Sequence, residues 1–67
     1  MKGKYYEYYW SVRKEEKGYI WEIRSNWRKG SEVLQSSLDN EDEDFMYYET
    51  ITAARSDAHE AIQDYYL

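Results

Sequence analysis

Sixty-seven residues are enough for one small hydrophobic core, and a domain of that size draws little stability from its core alone. With no cysteine, neither a disulfide nor thiolate-bound zinc can brace it, which fits a reducing compartment. The net charge of −5 disfavours a long polyanion as partner, and no apolar run approaches the ~20 residues of a membrane-spanning helix.

Residues 5–13 (YYEYYWSVR) alternate as a strand should. Tyr6, Tyr8, Trp10 and Val12 share one wholly apolar or aromatic face, predicted to lie beneath a helix. Tyr5, Glu7, Tyr9, Ser11 and Arg13 then face the other way. Residues 14–18 (KEEKG) form a charged turn closed by Gly18. Residues 19–24 are the returning strand, with Tyr19, Trp21 and Ile23 inward and Ile20, Glu22 and Arg24 outward. A second turn at 26–31 pivots on Gly30, and residues 32–36 form a short third strand.

Residues 37–44 (SLDNEDED) lack apolar periodicity and carry four consecutive acids. Dense like charge repels and stays solvated, so this stretch is expected to be an exposed, mobile loop. Residues 45–55 are predicted as a fourth strand, because Thr50, Ile51 and Thr52 are β-branched. A competing reading starts the helix at Thr52, since Ala53 and Ala54 are good helix formers. On the preferred reading Ser56 caps a helix over 56–66. Ala58, Ala61, Ile62 and Tyr65 stand at i, i+3, i+4 and i+7 and form its apolar stripe.

The expected fold is α+β: one small two-layer domain over residues 1–67, an antiparallel three- or four-stranded meander with one C-terminal helix packed on one face. Residues 1–36 supply a basic aromatic hairpin and third strand, 37–44 the acidic loop, 45–55 the fourth strand and 56–66 the helix. Met1 followed by polar, lysine-rich residues suits a small complete gene product that is soluble and cytoplasmic.

Signals for catalysis are poor. The one histidine, His59, falls beside the apolar stripe and reads as a surface residue. Ser56, Asp57 and His59 crowd into a single helical turn, where a base cannot reach both a nucleophile and an orienting acid. The three glycines are isolated, so there is no phosphate-cradling loop. The acids of 39–44 offer oxygen ligands, but without the alternating spacing and central glycine of a calcium loop. The expectation is a non-enzyme with no cofactor and no metal.

Charge and aromatic content point to binding. Residues 1–31 hold eight cations against four acids, and residues 32–67 one cation against ten acids. Nine tyrosines and three tryptophans accompany this split, and such rings are enriched in interface hot spots. Two candidate surfaces follow. One is acidic: Glu41, Asp42, Glu43, Asp44, Glu49, Asp57, Glu60 and Asp64. The other is the aromatic outer face of the hairpin: Tyr5, Tyr9, Ile20 and Trp27, which serves a protein partner or a homodimer. The expected partner is a protein, in the sharpest form a nucleic-acid-processing complex whose basic channel the carboxylates occupy in place of phosphates. Small, acidic, cysteine-free chains resemble, as a class, phage-encoded inhibitors of host defence or nucleic-acid enzymes; the likeness is one of size and charge, and no motif carries it. The alternative is a single-stranded nucleic-acid-binding module built on the basic aromatic sheet, which the acidic half makes less favoured.

Overall fold

The computed structural model describes residues 1–67. Four antiparallel strands form a meander in the order β1-β2-β3-β4: β1 (Lys2–Tyr5), β2 (Tyr8–Glu15), β3 (Gly18–Arg24) and β4 (Val33–Ser36). One helix, α1 (Ile51–Tyr66), packs across β2 and β3. Between β4 and α1 lie two short 3-10 turns, Ser37–Asp39 and Glu43–Phe45. The α+β meander with a C-terminal helix is therefore the observed architecture.

The core forms where the two predicted patterns meet. Trp10, Val12, Trp21 and Ile23 come from the sheet, and Ala54, Ala58, Ala61 and Ile62 from the helix. Small alanines on α1 let the backbone approach the sheet closely, and the indoles fill the space beneath. Tyr5, Tyr8, Tyr19, Tyr48 and Tyr66 pack around this cluster with their rings half-buried. A tyrosine suits such a rim, because its ring is apolar and its hydroxyl stays wet.

Four expectations are corrected. The predicted strand over 5–13 is broken by a two-residue turn at Tyr6 and Glu7, where Tyr6 adopts φ 57° and lies exposed. The turn makes Tyr5 the cross-strand partner of Tyr8. Partners share a face, so Tyr5 belongs to the helix side rather than the outer face. Tyr6 in turn is not part of the core.

Ile20 is fully buried, so it is no part of an exposed docking face. It sits mid-strand in β3, whose flanks are both occupied at this point. Arg13 of β2 pairs with it on one side. On the other, Tyr48 bridges Tyr19, and the Ser37 hydroxyl accepts the Trp21 N–H.

The acidic stretch 37–44 is ordered into turns rather than a featureless loop. Ser36 accepts the Leu38 N–H while Asp39 accepts the Ser36 N–H, a reciprocal capping box. At the second turn Asp42 caps alone, its side chain accepting the Asp44 N–H. These side chains are acceptors that backbone amides need, and that local gain outweighs the screened repulsion between exposed carboxylates.

No strand forms over 45–55 beyond the single Tyr19–Tyr48 bridge, and α1 begins at Ile51 rather than after Ser56. Thr50 is the cap, its hydroxyl accepting the Ala53 N–H at 3.1 Å. β-Branched residues cost only tenths of a kcal/mol each in a helix, and Ile51 and Thr52 sit exposed in its first turn. The longer helix brings Ala54 into the core. At the far end Tyr65 is 71 % exposed, and Tyr66 turns inward against Tyr8 at 4.9 Å. The buried ridge thus runs Ala54, Ala58, Ile62, Tyr66 in steps of four.

Candidate functional site: an acidic groove beside the helix

A groove of about 610 Å³ opens between α1 and the segment that follows β4. Asp57, Glu60 and Asp64 stand along its helix wall at i, i+3 and i+7, with Tyr65 at the end. Asp39, Glu41 and Asp42 line the opposite wall beside Phe45. Trp21 and Tyr48 lie between the walls. The lining holds six carboxylates and no lysine, arginine or histidine.

The walls are held by specific bonds. Fully buried Ser37 accepts the Trp21 N–H at 3.1 Å and donates to the Met46 carbonyl at 2.8 Å, tying both ends of the segment to β3. Asn40 donates to the Phe45 carbonyl at 2.9 Å. Tyr48 donates to that same carbonyl at 3.0 Å and receives the Trp21 indole N–H at 3.4 Å. Burial pushes the Tyr48 hydroxyl up to about 12; the Trp21 bond opposes this, while the neighbouring carboxylates of Asp57 and Glu60 add to it. The phenol thus senses the negative field of the groove and stays a neutral donor.

The predicted acidic surface is divided. Glu41, Asp42, Asp57, Glu60 and Asp64 converge on the groove, and Asp39 joins them. Glu43, Asp44 and Glu49 instead line a separate cleft with Lys14 and Lys17, where Glu43 pairs with Lys17 at 3.0 Å. That ion pair holds the Lys17 ammonium above its ordinary pKa. No groove carboxylate takes part in an ion pair.

The predicted aromatic face is reduced to two rings. Tyr9 and Trp27 meet edge-to-face at 5.2 Å on the side of the sheet away from α1. Tyr5 lies on the helix side and Ile20 is fully buried, as described above. His59 is no ordinary surface residue. Its ring stacks on Tyr5 at 4.3 Å and meets Trp10 edge-on at 5.4 Å, and its Nε2 is buried without a hydrogen-bond partner. Burial lowers its pKa, with the Arg55 charge acting in the same direction. Asp57 faces the groove while His59 faces Tyr5 and Trp10, so the Ser56, Asp57, His59 cluster does not share one site.

Sequence reasoning missed Trp21, Asp39, Phe45, Tyr48 and Tyr65 as groove residues. Asp39 is legible as part of the acidic run; local periodicity points the others to strand or core. Comparison with protein-family models, curated proteins and solved structures finds no match. No helix is long and apolar enough to cross a membrane.

Proposed function

We propose that this chain is a non-catalytic binding protein whose acidic groove receives a basic segment of a protein partner. The observation that carries the reading is the composition of the groove: six carboxylates, none ion-paired, around an aromatic floor and rim with no cation. Carboxylates free of ion pairs, held on the helix and on the ordered segment facing it, attract cations and speed encounter with them. Exposed Phe45 and Tyr65 offer ring faces on which a guanidinium can rest. In its sharper form, the partner's segment is part of a surface that ordinarily binds nucleic acid, and the chain inhibits by occupying it.

The test is calorimetric titration with an arginine-rich peptide at low and moderate salt. The native chain is expected to bind, and the double variant Glu60→Lys with Asp64→Lys to bind at least about tenfold more weakly. Both positions are exposed, so the fold should survive, as circular dichroism would confirm. Equal affinity in the native and reversed chains would sink the proposal.

A further inference from the structure

The outer face of the sheet carries the opposite sign, and it lies on the side away from the groove. Lys4, Tyr9 and Arg24 are cross-strand partners in one row, and Lys2, Ser11 and Glu22 in the next. Trp27 packs edge-to-face on Tyr9, with ring planes 69° apart. The Lys2 ammonium lies 5.2 Å from the Trp27 ring, and that of Lys4 lies 5.4 Å from Tyr9. Arg28 and Lys29 follow Trp27 in an exposed turn. No ion pair ties down Lys2, Lys4, Arg28 or Lys29. The acid on these rows, Glu22, is engaged by Arg13 and Arg24.

We infer that this face is a binding site for single-stranded nucleic acid, with Tyr9 and Trp27 as base-stacking platforms and Lys2, Lys4, Arg28 and Lys29 as phosphate contacts. Two features select this ligand over a plain polyanion. The rings offer π-faces at a steep mutual angle, so bases resting on both must splay apart, which an unpaired strand allows and a duplex does not. The lysines already hover over those rings on flexible stems, so a base that displaces an ammonium finds it within reach of the adjacent phosphate. The net charge of −5 is no obstacle at this face. The molecule measures 27 × 25 × 20 Å, and the Debye length is ~8 Å at physiological salt. The groove carboxylates, across the sheet, are therefore screened from a strand bound here. The inference does not rest on the groove: the two faces are opposite in sign and take different ligands.

Trp27 makes the test direct, because it is 38 % exposed while Trp10 and Trp21 are buried. Tryptophan emission is followed during titration with oligodeoxyuridylate and, separately, oligouridylate, which differ only in the sugar. Saturable quenching is expected. With four phosphate contacts, the slope of log affinity against log salt should be about −3. Tyr9→Ala and Trp27→Ala should each weaken binding about tenfold, the second read by anisotropy of a labelled oligomer. Lys2→Glu with Lys4→Glu should weaken binding and flatten the salt slope. Glu60→Lys with Asp64→Lys should leave it intact, which separates this face from the groove. Preference for one oligomer assigns the sugar. Absence of quenching at low salt overturns the inference, as does equal affinity after loss of both rings. So does light scattering that shows a dimer which Trp27→Glu dissociates and neither oligomer displaces, since the face would then belong to a second copy.

Discussion

The imidazole of His59 lies flat on the ring of Tyr5, 4.3 Å between centroids and 2° from parallel. The Tyr5 hydroxyl accepts a 2.7 Å bond from Gln63, one turn further along α1. These two contacts clasp the first strand to the helix, the Gln63 bond across 58 residues of chain. His59 Nε2 is buried and faces no hydrogen-bond partner, so a proton added there would go unpaired.

That clasp predicts an acid-sensitive stability. The His59 pKa is depressed in the folded protein relative to its ordinary value of about 6.5. As pH falls through that value the unfolded chain binds a proton that the folded chain resists. The stabilising contribution is complete above about pH 6.5 and is lost as pH falls through the folded-state pKa. Urea denaturation midpoints should therefore decline from neutral to mildly acidic pH, and the decline should shrink in His59→Phe, which keeps the stack and removes the titrating nitrogen. An identical decline in the variant would assign the effect to other groups.

Gly18 bears on the groove floor from a distance. It adopts φ +145°, and a Cβ there would lie 2.8 Å from the Tyr48 carbonyl oxygen. That oxygen accepts the Tyr19 N–H at 2.8 Å, and Tyr48 N–H bonds back to Tyr19 at 2.9 Å. Gly18→Ala is expected to cost ~1–3 kcal/mol through strain and overpacking. Because relief requires Tyr48 to move, binding of the basic peptide should weaken as well. Thermal melts and the calorimetric titration check both; an unchanged melting temperature would show that the turn absorbs the methyl group.

The helix stripe can be tested at two neighbouring positions. Ile62 is fully buried, and Ile62→Ala should cost ~2–5 kcal/mol. That is a large share of the ~5–15 kcal/mol typical of small domains. Tyr65 is exposed, and Tyr65→Ala should change stability by less than ~0.5 kcal/mol. Denaturant unfolding of the two variants, compared at equal m-value, decides the matter. Comparable losses at both positions would contradict the observed helix orientation.

Alternation in residues 8–13 and 19–24 was enough to place Trp10, Val12, Trp21 and Ile23 inward, and helical spacing was enough for Ala58, Ala61 and Ile62. Both signals are local: the pleat and the helical turn repeat over a few residues and can be counted along the chain. The α+β meander followed from them. The split of charge between the halves of the chain was equally plain, and it foreshadowed the groove and the basic sheet face.

Tertiary structure decided the rest. Tyr5 changed sides because pairing with Tyr8 through a two-residue turn, marked by no glycine or asparagine, overrides the alternation of an unbroken strand. The helix began at Ile51 because burial of Ala54 against the sheet outweighs the modest β preference of Thr50 to Thr52. Asp39 to Asp42 became one wall of a groove because Ser37 and Tyr48 anchor their segment to β3 beside α1. The last two of these outcomes turn on contacts between residues far apart in the chain. Periodicity records how a residue relates to its neighbours in sequence; which distant surface it will meet is settled only when the chain packs.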